Sequence, residues 1–79
     1  MLYKEAVCTR IRELCKQYNY TPNGLAEISS VPPSTLQGLM KCKVNNPSSY
    51  LIFQLCKALK ITMKEFFDSD LFDIKNIQD

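Results

Sequence analysis

The 79-residue sequence predicts an all-α protein of five short helices followed by a short C-terminal tail. Two observations lead to this fold class. Apolar residues recur at i, i+3 and i+4 along most of the chain, which is the spacing of one helix face, and prolines and N-capping residues divide that pattern into short segments. A chain of this length forms one domain with a single small core.

The first helix is predicted from Tyr3 to Tyr18, where Asn19 provides a left-handed stop. Its inward stripe consists of Val7, Ile11, Leu14, Cys15 and Tyr18. The second helix starts with Thr21 as N-cap and Pro22 at the first helical position, and it runs to about residue 28 or 29. Its inward residues are predicted to be Leu25, Ala26 and Ile28.

The adjacent prolines Pro32 and Pro33 separate the second helix from the third. Pro33 fits the first turn of a helix, where its missing N–H would be unpaired anyway, and Pro32 biases Val31 toward extended geometry. The third helix then continues to Met40 with Leu36, Leu39 and Met40 inward and Ser34, Gln37, Gly38 and Lys41 outward. Gly38 lowers the stability of this helix by roughly 1 kcal/mol relative to alanine. A glycine is expected here if another group must approach the helix backbone closely, or if nothing selected against it.

A polar loop from Lys41 to Pro47 precedes the fourth helix, which begins near residue 48 or 49. Its buried face is predicted to be Leu51, Ile52, Leu55, Cys56 and Leu59. Thr62 and Glu65 have capping-box spacing, so a fifth short helix is expected to bury Phe66 and Phe67. The apolar tail residues are expected to pack back on the first and fifth helices or to join a dimer contact, the alternative being a disordered acidic tail; they are Leu71, Phe72, Ile74 and Ile77.

Charge is unevenly distributed along the chain. The net charge is +2, but residues 1–67 hold nine Lys or Arg against four acids, giving +5, and residues 68–79 hold one Lys against four Asp, giving −3. These ranges are the predicted domain and its acidic tail. The basic body is compatible with a nucleic-acid partner and equally with an ordinary solvated surface.

Several function classes are excluded by composition. The chain has no histidine, and its four cysteines show no C-x-x-C pairing, so we predict no metal site and no cofactor. The cysteines are expected to be reduced and to act as small apolar residues. Because no glycine-rich phosphate loop or paired-carboxylate pattern occurs, an enzyme is not expected. No membrane span or secretory signal is present, so a cytoplasmic protein is expected.

Two short helices joined by a tight turn, with a polar outer face on the second, form the plan of a helix-turn-helix. The chain resembles the phage-repressor and Cro-like helix-turn-helix proteins, with their five-helix lambda-repressor-like domain, over about residues 8 to 67, including short regulators of Gram-positive bacteria and mobile elements. The matching positions are Leu25-Ala26, Val31, Ser34-Thr35-Leu36, Leu39, Asn46-Pro47, residues 55–62 and Glu65-Phe66-Phe67.

This resemblance implies a repressor-like transcriptional regulator that binds double-stranded DNA as a homodimer on a two-fold operator. The implied base-reading positions are Pro33, Ser34, Gln37 and Gly38. The implied phosphate contacts are Thr21, Asn23, Thr35, Lys41, Lys43, Asn45 and Asn46. Gln37 is the best chemical match, because a carboxamide pairs with both N7 and N6 of adenine. The alternative is an antitoxin or another protein-interaction module with the same fold.

The sequence also departs from the family pattern. Pro22 stands where a glutamine is usual, which removes one positioning contact. Cys42 replaces the glycine that commonly ends the third helix, and because cysteine tolerates positive φ poorly, the turn is expected to differ. Cys15 and Met40 replace a buried salt bridge, so these side chains are expected to pack together.

Cys42 also lies between Lys41 and Lys43. Neighbouring ammonium groups make a thiol more reactive, so its oxidation with loss of DNA binding is one hypothesis. The alternative is an ordinary exposed cysteine.

Overall fold

A computed structural model describes all 79 residues and confirms the all-α architecture. The five helices are α1 (Tyr3–Gln17), α2 (Pro22–Ser29), α3 (Pro33–Met40), α4 (Ser49–Leu59) and α5 (Met63–Phe67), and two short 3-10 helices follow at Asp70–Phe72 and Ile74–Asn76. None of the helices has the length and apolar character needed to cross a bilayer.

The predicted N-caps set where α2, α4 and α5 begin. The Thr21 hydroxyl accepts a hydrogen bond from Gly24 N at 3.0 Å, and the Ser48 hydroxyl accepts one from Leu51 N, also at 3.0 Å. At α5 the capping box is complete, because Thr62 Oγ1 accepts from Glu65 N and the Glu65 carboxylate accepts from Thr62 N, each at 3.0 Å. Local sequence therefore fixes these three starts.

Four residues other than glycine adopt left-handed backbone geometry just beyond helix ends. They have φ near 60° and are Asn19, Ser30, Cys42 and Lys60. The stop predicted at Asn19 is confirmed, since Tyr20 N donates to Cys15 O at 2.8 Å and closes the end of α1.

A single core joins all five helices. Its buried members are Val7, Ile11, Leu14, Cys15, Leu25, Ala26, Val31, Leu36, Leu39, Ile52, Leu55, Cys56, Leu59 and Phe66. Met40 is partly buried against this core, which holds Cys15 at 4% exposure, so neither residue of the proposed apolar pair lies in solvent. Leu51 and Phe67 also pack on the core, although each is only half-buried.

The inward orientation predicted for Tyr18 and Ile28 is wrong. Tyr18 is 38% exposed because α1 ends at Gln17, and Ile28 is 44% exposed. At the end of α2, Ser29 is buried in place of Ile28. Its hydroxyl donates to Ala26 O at 3.3 Å and accepts from Val31 N at 3.4 Å, so this position serves the turn into α3.

The tail packs back on α1 and α5, which was one of the arrangements expected from the sequence. The Phe72 ring lies 4.8 Å from that of Phe67, 6.1 Å from Phe66 and 6.4 Å from Tyr3, measured between centroids. Asp79 Oδ1 also accepts from Tyr3 N at 2.8 Å at the N-terminus of α1. Ile74 does not take part, since it is 89% exposed.

Truncation after Ser69 is expected to lower the melting temperature by roughly 10 °C. The deletion removes the aromatic contacts of Phe72, each worth about 0.5–1.5 kcal/mol beyond its buried area. Ile74→Ser is the matched control, because this side chain is almost fully exposed. Differential scanning fluorimetry decides the matter, and a truncated chain that melts with the full one would show that the tail packing contributes nothing.

Stability is expected to fall as pH rises above about 8.5. Burial raises the pKa values of the Cys15 and Cys56 thiols and of the Tyr3 phenol. The unfolded chain therefore releases these protons at lower pH than the folded chain, and stability that is complete below the unfolded pKa values is lost as pH increases. Melting temperatures measured from pH 7 to 10 should decline, and a constant value would contradict this assignment.

Candidate nucleic-acid interface

α2 and α3 form the helix-turn-helix, and the inner side of α3 is fixed in the core. Leu36 is 0% and Leu39 2% exposed, and Val31 in the turn is 2% exposed. Pro33, Ser34 and Gln37 lie exposed on the opposite side. Because the apolar positions anchor α3 so completely, its polar side is held outward, as major-groove entry requires.

A shallow cleft of about 330 Å³ joins the start of α2 to the end of α3. It brings Gln37, predicted to read a base, together with three residues predicted to hold phosphates, which are Thr21, Asn23 and Lys41. The lining residues are Thr21, Pro22, Asn23, Gln37, Met40 and Lys41. Ser34 and Thr35 do not line this cleft; they lie at the other end of α3.

The turn after α3 differs from the sequence expectation. Cys42 adopts φ 58°, the left-handed geometry that its side chain was expected to disfavour. Cys42 N donates to Leu39 O at 3.1 Å and Lys43 N donates to Gly38 O at 2.9 Å, which is the Schellman pattern that glycine normally completes. The expectation of an altered turn is therefore wrong, and Lys41 and Lys43 lie exposed on either side of Cys42.

Residues 10–70 match the family model of the Cro/C1-type HTH DNA-binding domain. The chain belongs to this family. No curated protein and no solved structure matches it significantly. Members of this family bind DNA, and they are typically not enzymes.

In this Cro/C1-type domain one stripe of α1 holds the turn after α3. The stripe consists of Lys4, Cys8 and Arg12, which share one helix face because they are four residues apart. Lys4 Nζ donates to Asn45 Oδ1 at 3.0 Å, and Arg12 Nη2 donates to Met40 O. Between them, Cys8 is joined to Cys42. The three contacts follow the turn from residue 40 to residue 45.

The contact in the middle of this stripe is a disulfide. Cys8 and Cys42 are bonded through Sγ, with their Cα atoms 5.4 Å apart and 34 positions apart in the sequence. The prediction that all four cysteines are reduced is wrong for this pair, whereas Cys15 and Cys56 are free and buried. Sequence spacing could not reveal the pair, because only the packing of α1 beside the end of α3 brings it together.

Gly38 does not meet open space on the outer side of α3. A Cβ at this position would lie 3.6 Å from Val44 Cγ2, an ordinary van der Waals contact. A methyl group would fit here, so no close contact within this chain requires the glycine, and Gly38 has only backbone atoms to offer to a base.

Sequence reasoning missed Lys4 and Arg12. Both touch the turn that contains most of the predicted phosphate contacts. Their four-residue spacing with Cys8 is a readable signal, but on an amphipathic helix a stripe containing Lys and Arg is normally solvent-facing. Arg12 also supplies an arginine contact to the end of α3, directed to the backbone carbonyl of Met40.

Proposed function

We propose that this chain is a sequence-specific transcriptional regulator of the repressor type that inserts α3 into the major groove of double-stranded DNA. The supporting observation is the position of Gln37, exposed on α3 in one cleft with Thr21 and Lys41. A carboxamide at this place can pair with an adenine edge while its neighbours hold the flanking backbone.

The proposed contacts divide into reading and holding. Pro33, Ser34 and Gln37 are the exposed residues proposed to face the base edges, and half-buried Gly38 would contribute through its backbone alone. Among them only Gln37 has two polar side-chain atoms with which to discriminate. Phosphates are held by neutral donors and by the exposed cations of the turn; these residues are Thr21, Asn23, Thr35, Lys41, Lys43, Asn45 and Asn46. Asn23 lies in the first turn of α2, whose positive dipole end favours an anion.

The regulator acts as a homodimer on a two-fold operator in this proposal. An exposed apolar patch, defined by Ile28, Tyr50 and Phe53 at 44, 67 and 46% exposure, lies between the end of α2 and the start of α4. The two rings are 6.3 Å apart, and we assign this patch to contact with a second copy of the chain. At roughly 100 Å² per side chain it supplies about 300 Å² per protomer, below the ~800 Å² per partner of a standard stable interface.

The free protein is therefore expected to be a monomer that dimerises when two copies bind adjacent half-sites. Sedimentation should show one protomer without DNA, and binding to a two-fold operator should be cooperative. Tyr50→Ser should remove the cooperativity while leaving half-site affinity unchanged, because this residue lies outside the cleft of Gln37. Cooperativity retained in Tyr50→Ser would place the dimer contact elsewhere.

The second candidate is an antitoxin or protein-interaction module in which a different protein covers the same patch. A pure interaction module does not bind the upstream DNA, whereas an antitoxin can bind both that DNA and its toxin, so a neighbouring toxin gene is the observation that distinguishes the antitoxin. In either role we propose a non-enzymatic, cytoplasmic protein without a metal or cofactor.

A salt-dependent mobility shift on the DNA upstream of the gene tests the proposed function. Two turn lysines per protomer predict a slope of log K against log salt of about −2 for one protomer and about −4 for a dimer. Binding to this DNA should also exceed binding to shuffled DNA of equal length. Equal affinity for both fragments would contradict a sequence-specific regulator, and no binding to either would favour the protein-interaction module.

A further inference from the structure

We propose that Cys8 and Cys42 are a reversible thiol–disulfide couple that sets how firmly the turn after α3 is held for DNA binding. The inference rests on the proposed DNA-binding function. Disulfides are rare in compartments that keep thiols reduced, and those that occur there are typically transient or redox-sensing. A disulfide beside the DNA-facing turn of a Cro/C1-type domain is therefore expected to be of the reversible kind.

The position of the bond explains why it would matter. It joins α1 to the single left-handed residue that closes α3, and the residues on both sides of Cys42 are the proposed phosphate contacts Lys41 and Lys43. The two other contacts of the α1 stripe, made by Lys4 and Arg12, are hydrogen bonds from exposed or half-buried side chains. The disulfide is thus the only covalent bond between α1 and this turn. Its reduction allows the loop more conformations, and restricting them when DNA binds costs conformational entropy.

The reduced form is also accommodated. Cys8 is 1% exposed, and its Sγ lies 3.4 Å from Glu5 O, which can accept the thiol proton after reduction. Reduction therefore leaves no buried donor without a partner. The two remaining cysteines are buried in the core, where their thiols stay protonated and unreactive.

A low-molecular-weight disulfide of the glutathione type, RSSR, is the oxidant. The half-buried Cys42 is the more accessible cysteine, so its thiolate attacks one sulfur of RSSR and forms a mixed disulfide as RS⁻ leaves. The Cys8 thiolate then attacks Cys42 Sγ, forms the internal bond and expels the second RS⁻. The two cysteines lose two electrons and two protons, RSSR gains the electrons, and the protons yield two RSH.

The experiment equilibrates the full chain with defined ratios of oxidised and reduced glutathione. Mass spectrometry after alkylation should find a peptide linked through Cys8 and Cys42 in the oxidised sample, with Cys15 and Cys56 unlinked. The oxidised chain should melt roughly 10 °C or more above the reduced chain, because the bond closes a long loop. It should bind upstream DNA about tenfold more tightly, because ordering roughly one residue of backbone on binding costs about that factor in affinity. This effect is opposite in sign to the loss of binding hypothesised from the sequence for oxidation of Cys42.

Cys8→Ala is the main variant, since alanine is a strong helix former, and Cys42→Ser is the second. Each should lose both redox responses and bind DNA as the reduced chain does. Cys15→Ala is the matched control, and it should keep the difference between oxidised and reduced samples even if its overall stability is lower.

Each outcome decides between the claims. Absence of the linked peptide at every glutathione ratio overturns the couple. A linked chain that binds DNA with the affinity of the reduced chain overturns the regulation and leaves the proposed function intact. Failure of both forms to bind any DNA overturns both, whereas a response that persists in Cys8→Ala assigns the effect to another cysteine.

Discussion

Replacing Leu36 by alanine is expected to lower the free energy of unfolding by about 2–5 kcal/mol. Leu36 is 0% exposed and belongs to the one core that joins the five helices, so truncation leaves a cavity under the middle of α3. Small domains are stable by only about 5–15 kcal/mol in total, so the loss is a large share of the whole. Urea unfolding followed by circular dichroism measures it.

Gln37→Ala is the matched control for this stability experiment. It changes the next residue of the same helix, but its side chain is exposed, and such surface changes stay within about 0.5 kcal/mol. A Leu36→Ala chain with the stability of the control would show that α3 is not anchored by this residue and that the inner side of the helix has been misplaced.

The second large effect separates base reading from phosphate holding. Gln37→Ala is expected to weaken binding to the cognate site by about 1–3 kcal/mol and to relax the preference at one or two base positions. Binding to random DNA should change little, because a carboxamide contact to a base contributes only where the correct base is present.

Lys43→Ala should behave differently, because a phosphate contact carries no sequence information. Affinity for cognate and random DNA should fall together, and the slope of log K against log salt should decrease by about one unit per protomer. Fluorescence anisotropy over a small set of operator variants and salt concentrations measures both effects. Uniform weakening from Gln37→Ala, or an unchanged salt slope from Lys43→Ala, would reject the corresponding role.

Local sequence signals predicted the helix boundaries well because they act over three or four residues. Thr21, Ser48 and Thr62 cap their helices through the bonds that their side chains favour, and Pro33 opens α3 as its fixed φ dictates. Which residue faces the core was predicted less accurately at the end of a short helix. At the end of α2, a shift of one position along the helix buries Ser29 and exposes Ile28.

Interactions between distant segments were not predictable in the same way. The pairing of Cys8 with Cys42 and the contact of Lys4 with Asn45 depend on how α1 packs beside the end of α3, which no single segment encodes. The left-handed Cys42 shows the same limit, because residue preference argued against a conformation that the Schellman bonds and the cross-link to α1 hold in place. The helices and the loop that carry the predicted site residues form where the sequence indicated, but the contacts of α1 with that loop were missed.

Amide chemical-shift mapping tests the central claim that α3 is the recognition helix. The isotope-labelled full chain is titrated with the upstream fragment that binds best. The account predicts the largest shifts within residues 33–46 and 21–24, with small ones in residues 63–79. Shifts confined to the patch of Ile28, Tyr50 and Phe53 or to the tail, with residues 33–46 unchanged at saturation, would contradict it.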